Sequence, residues 1–361
     1  MTPMPPAEPA PIPIVESSIF LRRMRMAAYG ILLVVLSIYL LEKFERILQP
    51  LFVALFLGFL THPLHRWLAR RGIPSTIAYG IIVGLAMLGL AAFASLLYVN
   101  ITEIADTPKL LKYEKNLEML LDSTIKRLPF ETPELKEHPL REIHISPDDL
   151  ATAAAGALAR FRDYTAWALL TILYILFLVA EKVSFPRRIM LAFGEHHGMR
   201  IMGVIESINL AISQYIAVKT LVSALAGIVS YAVLAVFEVE LAATWGILIF
   251  LLNYIPYLGS LVACALPIVL SFLQFDEIWK PIVIGSLLIG IQQFIGNWVE
   301  PRMAGQRLDV SPLLIVLSLA FWWSVWGIPG AILAVPLLVI VRIVLDNIHE
   351  TKPIATLISN R

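Results

Sequence analysis

Charge is scarce in this sequence. Acidic and basic residues together make up only 15% of its 361 residues, against 58% hydrophobic ones, and the mean hydropathy of +0.79 lies far outside the range of water-soluble domains. An ordinary soluble protein is thereby excluded, and a chain that crosses a membrane several times is predicted. A basic excess is lacking too. The formal net charge of +1 offers no phosphate-binding face, so no nucleic-acid partner is expected. A single cysteine, Cys264, rules out an intramolecular disulfide and a thiolate-held metal cluster. Set in an apolar run, it reads as a small buried hydrophobe. The chain has no P-loop, dinucleotide-binding glycine fingerprint or nucleophile elbow. ATP hydrolysis within the chain is therefore excluded, and neither an enzyme nor a bound cofactor is expected.

What the sequence does contain divides it into six regions. Prolines 3, 5, 6, 9, 11 and 13 favour extended, solvated chain, so residues 1–20 are predicted to be a disordered tail. The basic cluster Arg22, Arg23 and Arg25 follows the tail, and the apolar run beyond it has no small-residue cleavage site, so the first hydrophobic helix is expected to stay attached. Residues 21–99 read as N-terminal transmembrane helices and 100–164 as a polar helical insertion. After these come a transmembrane helix with a loop (165–200), a helical core with two hairpins (201–350) and a short tail (351–361). Lysines and arginines of the short loops resist translocation. Grouping Arg66, Arg70, Arg71, Lys182, Arg187, Arg188, Arg200, Arg302, Arg307, Arg342, Lys352 and Arg361 with the N-terminal cluster leaves only Lys43, Arg46 and Lys280 in short loops on the other side. Both termini are therefore expected in the cytoplasm and the insertion outside it.

The stretch LLNYIPYLGSLVACALP, residues 251–267, sets Asn253, Pro256, Gly259 and Ser260 inside the most apolar part of the chain. Hydrocarbon supplies no water to a backbone group freed by proline or glycine, so such breaks persist only where protein or a polar cavity receives them. The apolar run 241–255 is also too short to span, since 15 residues of helix reach only about 22 Å. A related pattern recurs around WGIPG, with Trp326, Gly327, Pro329 and Gly330. Two units follow, each a helix and then a broken pair: 220–237 with 241–255 and 260–274, and 281–299 with 311–327 and 328–345. Three segments per unit would make them a candidate inverted repeat whose hairpin tips enter from opposite sides. The predicted fold is thus all-α, a polytopic transmembrane helical protein with broken or re-entrant hairpins.

Polar side chains at membrane depth mark candidate sites. Glu206, Asn209 and Ser213 share one helical face, with Gln214 and Lys219 nearby, and Gln293, Asn297 and Glu300 share another at i, i+4 and i+7. As functional groups, these would line a translocation path with Glu206 and Lys219 as proton- or ion-coupling residues. The plainer reading gives Glu206 to a wet interfacial face and treats Glu300 and Arg302 as markers of a helix leaving the membrane. His62, His65 and the pair in GEHHG match no metal motif and read as solvated or interfacial. Trp322, Trp323 and Trp326 read as a lipid-interface belt.

Taken in order, SQYIAVKTLVSAL, LLNYIPYLGSLVACALP, IGNWVEPRMAGQRLDVSPLL and WGIPGAILAVPLLVIV resemble the autoinducer-2 exporter family, the PerM-like bacterial permeases, most closely over 200–350. Family elements are matched by Ile255, Pro256 and Gly259, by Glu300, Pro301, Arg302 and Gly305, and by Tyr215, Lys219 and Thr220. The resemblance implies an oligomeric transporter in the bacterial inner membrane that exports a small polar metabolite such as autoinducer-2, with sodium–proton antiport in other branches. Expected partners are the lipid bilayer, a small polar solute with protons or sodium, and further copies of the chain. The substrate path and gates fall to Asn253, Pro256, Gly259, Ser260, Gln293, Asn297, Pro329 and Gly330, and ion coupling to Glu206, Lys219, Glu300 and Arg302. A membrane scaffold recruiting partners through 100–164 is the contrasting reading. It gives no reason for Asn253, Gln292, Gln293 and Asn297 to lie at membrane depth.

Overall fold

A computed structural model describes residues 14–104, 112–113, 115–116, 119, 156, 167–182, 184–304 and 310–359. Every regular element among them is helical. In chain order these are α1 (Ile14–Lys43), α2 (Glu45–Leu60), α3 (His62–Arg70), α4 (Ser75–Ile104) and α5 (Trp167–Glu181). After them come α6 (Phe185–Val236), α7 (Ala242–Leu252), α8 (Leu258–Gln274), α9 (Trp279–Phe294), a π-helical turn (Ile295–Val299), α10 (Glu300–Ala304), α11 (Pro312–Asn347) and α12 (Lys352–Ile358). Among the described residues, five stretches are long and apolar enough to cross a bilayer: Met24–Lys43, Ile77–Val99, Phe185–Val236, Trp279–Met303 and Pro312–Asn347. The chain is an all-α polytopic membrane protein. It divides into two compact units, Met1–Leu48 and Gln49–Arg361.

Helix ends follow local chemistry. The first helix begins at Ile14, one residue after the last tail proline and inside the stretch read as disordered. Helix α3 stops in a Schellman turn: Gly72 takes φ +82°, its N–H reaches Ala69 O, and the Ile73 N–H reaches Leu68 O. The same turn ends α6 with Glu238 in the left-handed position, φ +55°. Its N–H bonds to Ala235 O, and the Val239 N–H bonds to Leu234 O at 2.8 Å. Glutamate carries a Cβ cost there, which the Gln274 amide helps to offset by donating to Glu238 O at 2.7 Å. Tyr113 bonds to Glu240 in the same loop. Asn116 donates to Leu273 O and Asp276 at 2.9 and 3.1 Å, so Tyr113 and Asn116 lie against the 237–241 and 273–276 segments.

Both predicted breaks are present. The first hairpin runs down α7, turns through residues 253–257 with Tyr257 at φ +60°, and returns along α8. The second lies within α11, whose helical geometry fails at Gly327 (φ +62°, ψ −137°). Ser318 donates to Ala334 O across the break at 2.8 Å, so its two arms lie side by side. One device serves both tips. A Cβ on Gly259 would stand 1.8 Å from Leu252 O, and one on Gly330 would stand 2.0 Å from Trp322 O. Each returning arm therefore touches the outgoing backbone directly, which only glycine permits. The hairpins also pack together, with Ile255 of the first tip in one buried cluster with Leu319, Ala331 and Ala334 of the second.

Two further elements depart from the sequence expectation. The stripe 201–219 and the apolar run from 220 are one helix, α6, kinked only at Gly194 (φ +74°). Beyond that kink, residues 195–236 alone extend about 63 Å at 1.5 Å per residue, well past a hydrocarbon core of about 30 Å. The tryptophans do not act as one belt. Trp323 is exposed, whereas Trp326 is buried and its ring packs at a tilt against Trp322 and Phe52, with centroids 4.8 and 5.3 Å apart.

The glycine contacts yield a direct test. Gly330→Ala and Gly259→Ala are each expected to cost about 1–3 kcal/mol or more, as overpacked sites do. Gly290→Ala, on α9 with nothing within 4 Å of the added carbon, is expected to be neutral or to stabilise by up to about 1 kcal/mol. Thermal unfolding of the purified protein in detergent ranks the three.

Candidate functional site

One face of α6 carries Tyr215, Lys219, Val222, Ser223, Ala226, Gly227, Ser230 and Leu234, all buried. The i, i+3, i+4 spacing turns this ladder toward the rest of the bundle. Small residues let the neighbouring helix approach closely. A Cβ on Gly227 would lie 2.7 Å from Gly246 O on α7. The first tip reaches α6 beside the polar rungs of the ladder. Asn253 donates to Ser223 Oγ at 3.2 Å, and the Tyr254 hydroxyl donates to Thr220 Oγ1 at 2.8 Å. Thr220 in turn donates to Ile216 O at 2.6 Å, closing a short chain back onto the helix.

The adjacent rung holds the charge. Lys219, 6% exposed, donates through Nζ to both carboxylate oxygens of Glu300 at 2.8 and 3.1 Å. An ammonium in so apolar a setting is too costly to leave unpaired, and the carboxylate meets that need. Glu300 gets there through the π-helical turn Ile295–Val299, whose i→i+5 bonding widens the helix and shifts the register of every residue after it. In an unbroken α-helix, Glu300 would share a face with Gln293 and Asn297. Instead those two are exposed and bond to one another at 2.6 Å, while Glu300 faces α6.

The other sequence-marked residues are dispersed. Pro256 is half-buried in the first tip, Gly259 is buried on the opening turn of α8, and Ser260 beside it donates to Tyr257 O at 3.0 Å. Pro329 and Gly330 follow the second break. Glu206 is exposed, four turns before Lys219 on α6, and takes no part in the ion pair. Arg302 lies over the Trp298 ring at 5.0 Å and is exposed. His65 stacks on Tyr79 at 4.3 Å, and burial, with Lys182 adding repulsion, holds its pKa below the ordinary imidazole value. Cys264 is buried among Leu234, Val239, Ile284 and Leu288, as expected of a small apolar side chain.

Sequence reasoning missed Gln49, Trp167 and the part played by Tyr254. Gln49 Nε2 donates to Trp326 O at 2.9 Å, receiving the carbonyl next to the Gly327 break. The Trp167 indole N–H donates to Gln49 Oε1 at 3.0 Å. The available signal was a lone amide, Gln49, inside the apolar run 47–64, where hydrocarbon alone would leave it unpaired.

In this helical membrane bundle two broken hairpins pack together, and the first reaches the helix that carries the Lys219–Glu300 ion pair. The chain belongs to the AI-2E transporter family, whose description is "AI-2E family transporter" and whose model matches residues 29–350. Among its relatives is the AI-2 transport protein TqsA of Escherichia coli (strain K12), 30% identical over 318 residues that cover 87% of this chain and 90% of TqsA. YhhT of the same strain is 28% identical over 312 residues, covering 86% and 88% of the two chains. A Borreliella burgdorferi protein is 28% identical over 331 residues, covering 91% and 89%. This chain is accordingly a multi-pass membrane transporter.

Lys219 is buried and Glu300 only partly so, with side chains 7% and 29% exposed. Glu300→Gln strands the ammonium and is expected to lower stability by about 3–5 kcal/mol, Lys219→Met leaves a partly exposed carboxylate and is expected to cost less, and the double variant is expected to recover much of the Glu300→Gln loss. Unfolding of the three purified variants in detergent would show the non-additivity.

Proposed function

We propose that this transporter is a secondary exporter of a small polar solute such as autoinducer-2, with the first hairpin tip and the α6 ladder forming its solute path. The carrying observation is the polar cluster of Lys219, Glu300, Thr220, Ser223, Asn253 and Tyr254, gathered at a helix break inside an otherwise apolar bundle. Hydroxyl, amide and ionic groups there match a hydroxylated solute, and a broken helix lets them separate and re-form without unwinding a whole span. The name of the relative TqsA, an AI-2 transport protein, points to the same solute class.

In this reading the protein lies in the bacterial inner membrane with both termini cytoplasmic, and the two units of helix plus hairpin enter from opposite sides. The first tip opens from the outer side and the second from the inner side. The contacts of Tyr113 and Asn116 with the 237–241 and 273–276 segments support a common outer end. At the other end of α6, Arg200 donates to Asn347 O at 2.8 Å. Gln293, Asn297, Pro256, Gly259, Ser260, Pro329 and Gly330 serve the path and gates, and Lys219 with Glu300 supplies ion coupling. A cation–proton exchanger is the second reading, favoured by the Lys219–Glu300 pair, whose partners can trade a proton or a cation as the tip moves.

Uptake of labelled autoinducer-2 into everted vesicles, with an imposed proton or sodium gradient, decides between them. Gradient-dependent uptake that falls at least about tenfold in the Lys219→Met, Glu300→Gln double variant is expected, the loss of more than one charge-assisted bond. Absence of uptake under any gradient, with cation–proton exchange retained, would replace the exporter by the exchanger.

A further inference from the structure

Helix α2 presents three residues on one face, Gln49, Phe52 and Phe56, at i, i+3 and i+7. The face touches both hairpin tips. At its N-terminal end, Gln49 holds Trp326 O at 2.9 Å and Phe52 packs against the Trp326 ring at 5.3 Å with a tilt of 43°. One turn further on, Phe56 meets Tyr254 of the first tip edge to face, 6.2 Å between ring centres. Tyr254 is the residue whose hydroxyl bonds to Thr220, next to Lys219. The same helix therefore reaches the carbonyl at the second break and, through one aromatic contact, the polar cluster at the first.

Gln49 is fixed in a way that suits a latch. An indole N–H only donates and a peptide carbonyl only accepts, so Trp167 and Trp326 together dictate which end of the amide faces which partner. Turning the amide over would break both bonds. Gln49 is 9% exposed, so no bulk water replaces a lost partner, and a buried amide left unsatisfied is disfavoured. The second tip can leave its place only if Gln49 releases the Trp326 carbonyl.

Resting on the transporter reading above, we infer that α2 is a strut linking the two gates and that Gln49 is the positioning residue that latches the second. Motion of one tip presses on α2, and through the shared face it changes the hold on the other. A strut of this kind makes the two openings mutually dependent, which an exporter needs if its path is never to be open at both ends.

Hydrogen exchange of the full-length protein in lipid nanodiscs tests this without any solute. The backbone amides of 325–330 and of 253–258 report the two tips separately. Gln49→Met keeps the side-chain length and removes both hydrogen bonds. It is expected to speed exchange about tenfold at 325–330, the scale of one buried bond, and also to speed it at 253–258, which Gln49 does not touch. Phe56→Leu, at the other end of the strut, is expected to speed exchange at 325–330. Exchange that rises only at the tip nearest each substitution, or at neither, would overturn the linkage. Residues 214–234 of α6 serve as the internal standard. If they also exchange faster in Gln49→Met, Trp167→Phe, which removes the indole donor to Gln49 and keeps an aromatic ring, carries the same test with the same two outcomes. Linked tips in a protein that moves neither autoinducer-2 nor cations would overturn the transporter mechanism and leave the strut. Transport with unlinked tips would do the reverse.

Discussion

A peptide group freed inside hydrocarbon has nowhere to turn except to the protein itself, and the architecture of this transporter follows from how it answers that demand. Its two interrupted hairpins create orphan carbonyls and amides at depth. At the second, the carbonyl of Trp326 is taken up by Gln49. At both, a glycine presses the returning arm against the outgoing one, leaving Leu252 O and Trp322 O shielded by backbone rather than by lipid. Side chains from other helices then become part of the hairpins' own bonding, so the tips are held by neighbours and not by their local sequence alone.

Charge obeys the same rule at higher stakes. Lys219 can sit buried within α6 because Glu300 reaches it, and Glu300 reaches it because five residues of π-helix alter the register of the helix that carries it. A π turn is rare, and it occurs mostly as a single-turn bulge inside an α-helix. Its persistence between α9 and α10 marks the point where helix regularity is given up for the position of one carboxylate.

Much of this was written plainly in the chain. The all-α membrane class came from composition, and the hairpin tips came from Pro256, Gly259, Gly327 and Gly330, whose effects are local and act through backbone geometry that sequence specifies directly. Lys219 stood out because a cation in an apolar run is expensive wherever it points. Its true partner did not stand out. Periodicity placed Glu300 with Gln293 and Asn297, since α spacing was assumed across residues that in fact form a π turn. Gln49 and Trp167 escaped notice for a different reason. Their role exists only between segments far apart in the chain, and no spacing rule relates residue 49 to residue 326. The tryptophans 322, 323 and 326 show the same limit, because an indole suits a lipid headgroup and a packed tip equally well until the neighbours are known.

The solitary thiol of Cys264 has a practical side. Only 5% of that residue is exposed, with its sulfur against Leu288 O at 3.9 Å in the cluster between α8 and α9. A maleimide dissolved in water therefore meets almost no native target on this protein. Cysteines introduced for fluorescent or spin labels report from an otherwise native chain, and the usual first step of stripping out endogenous thiols, with its disturbance of a packed interior, is unnecessary.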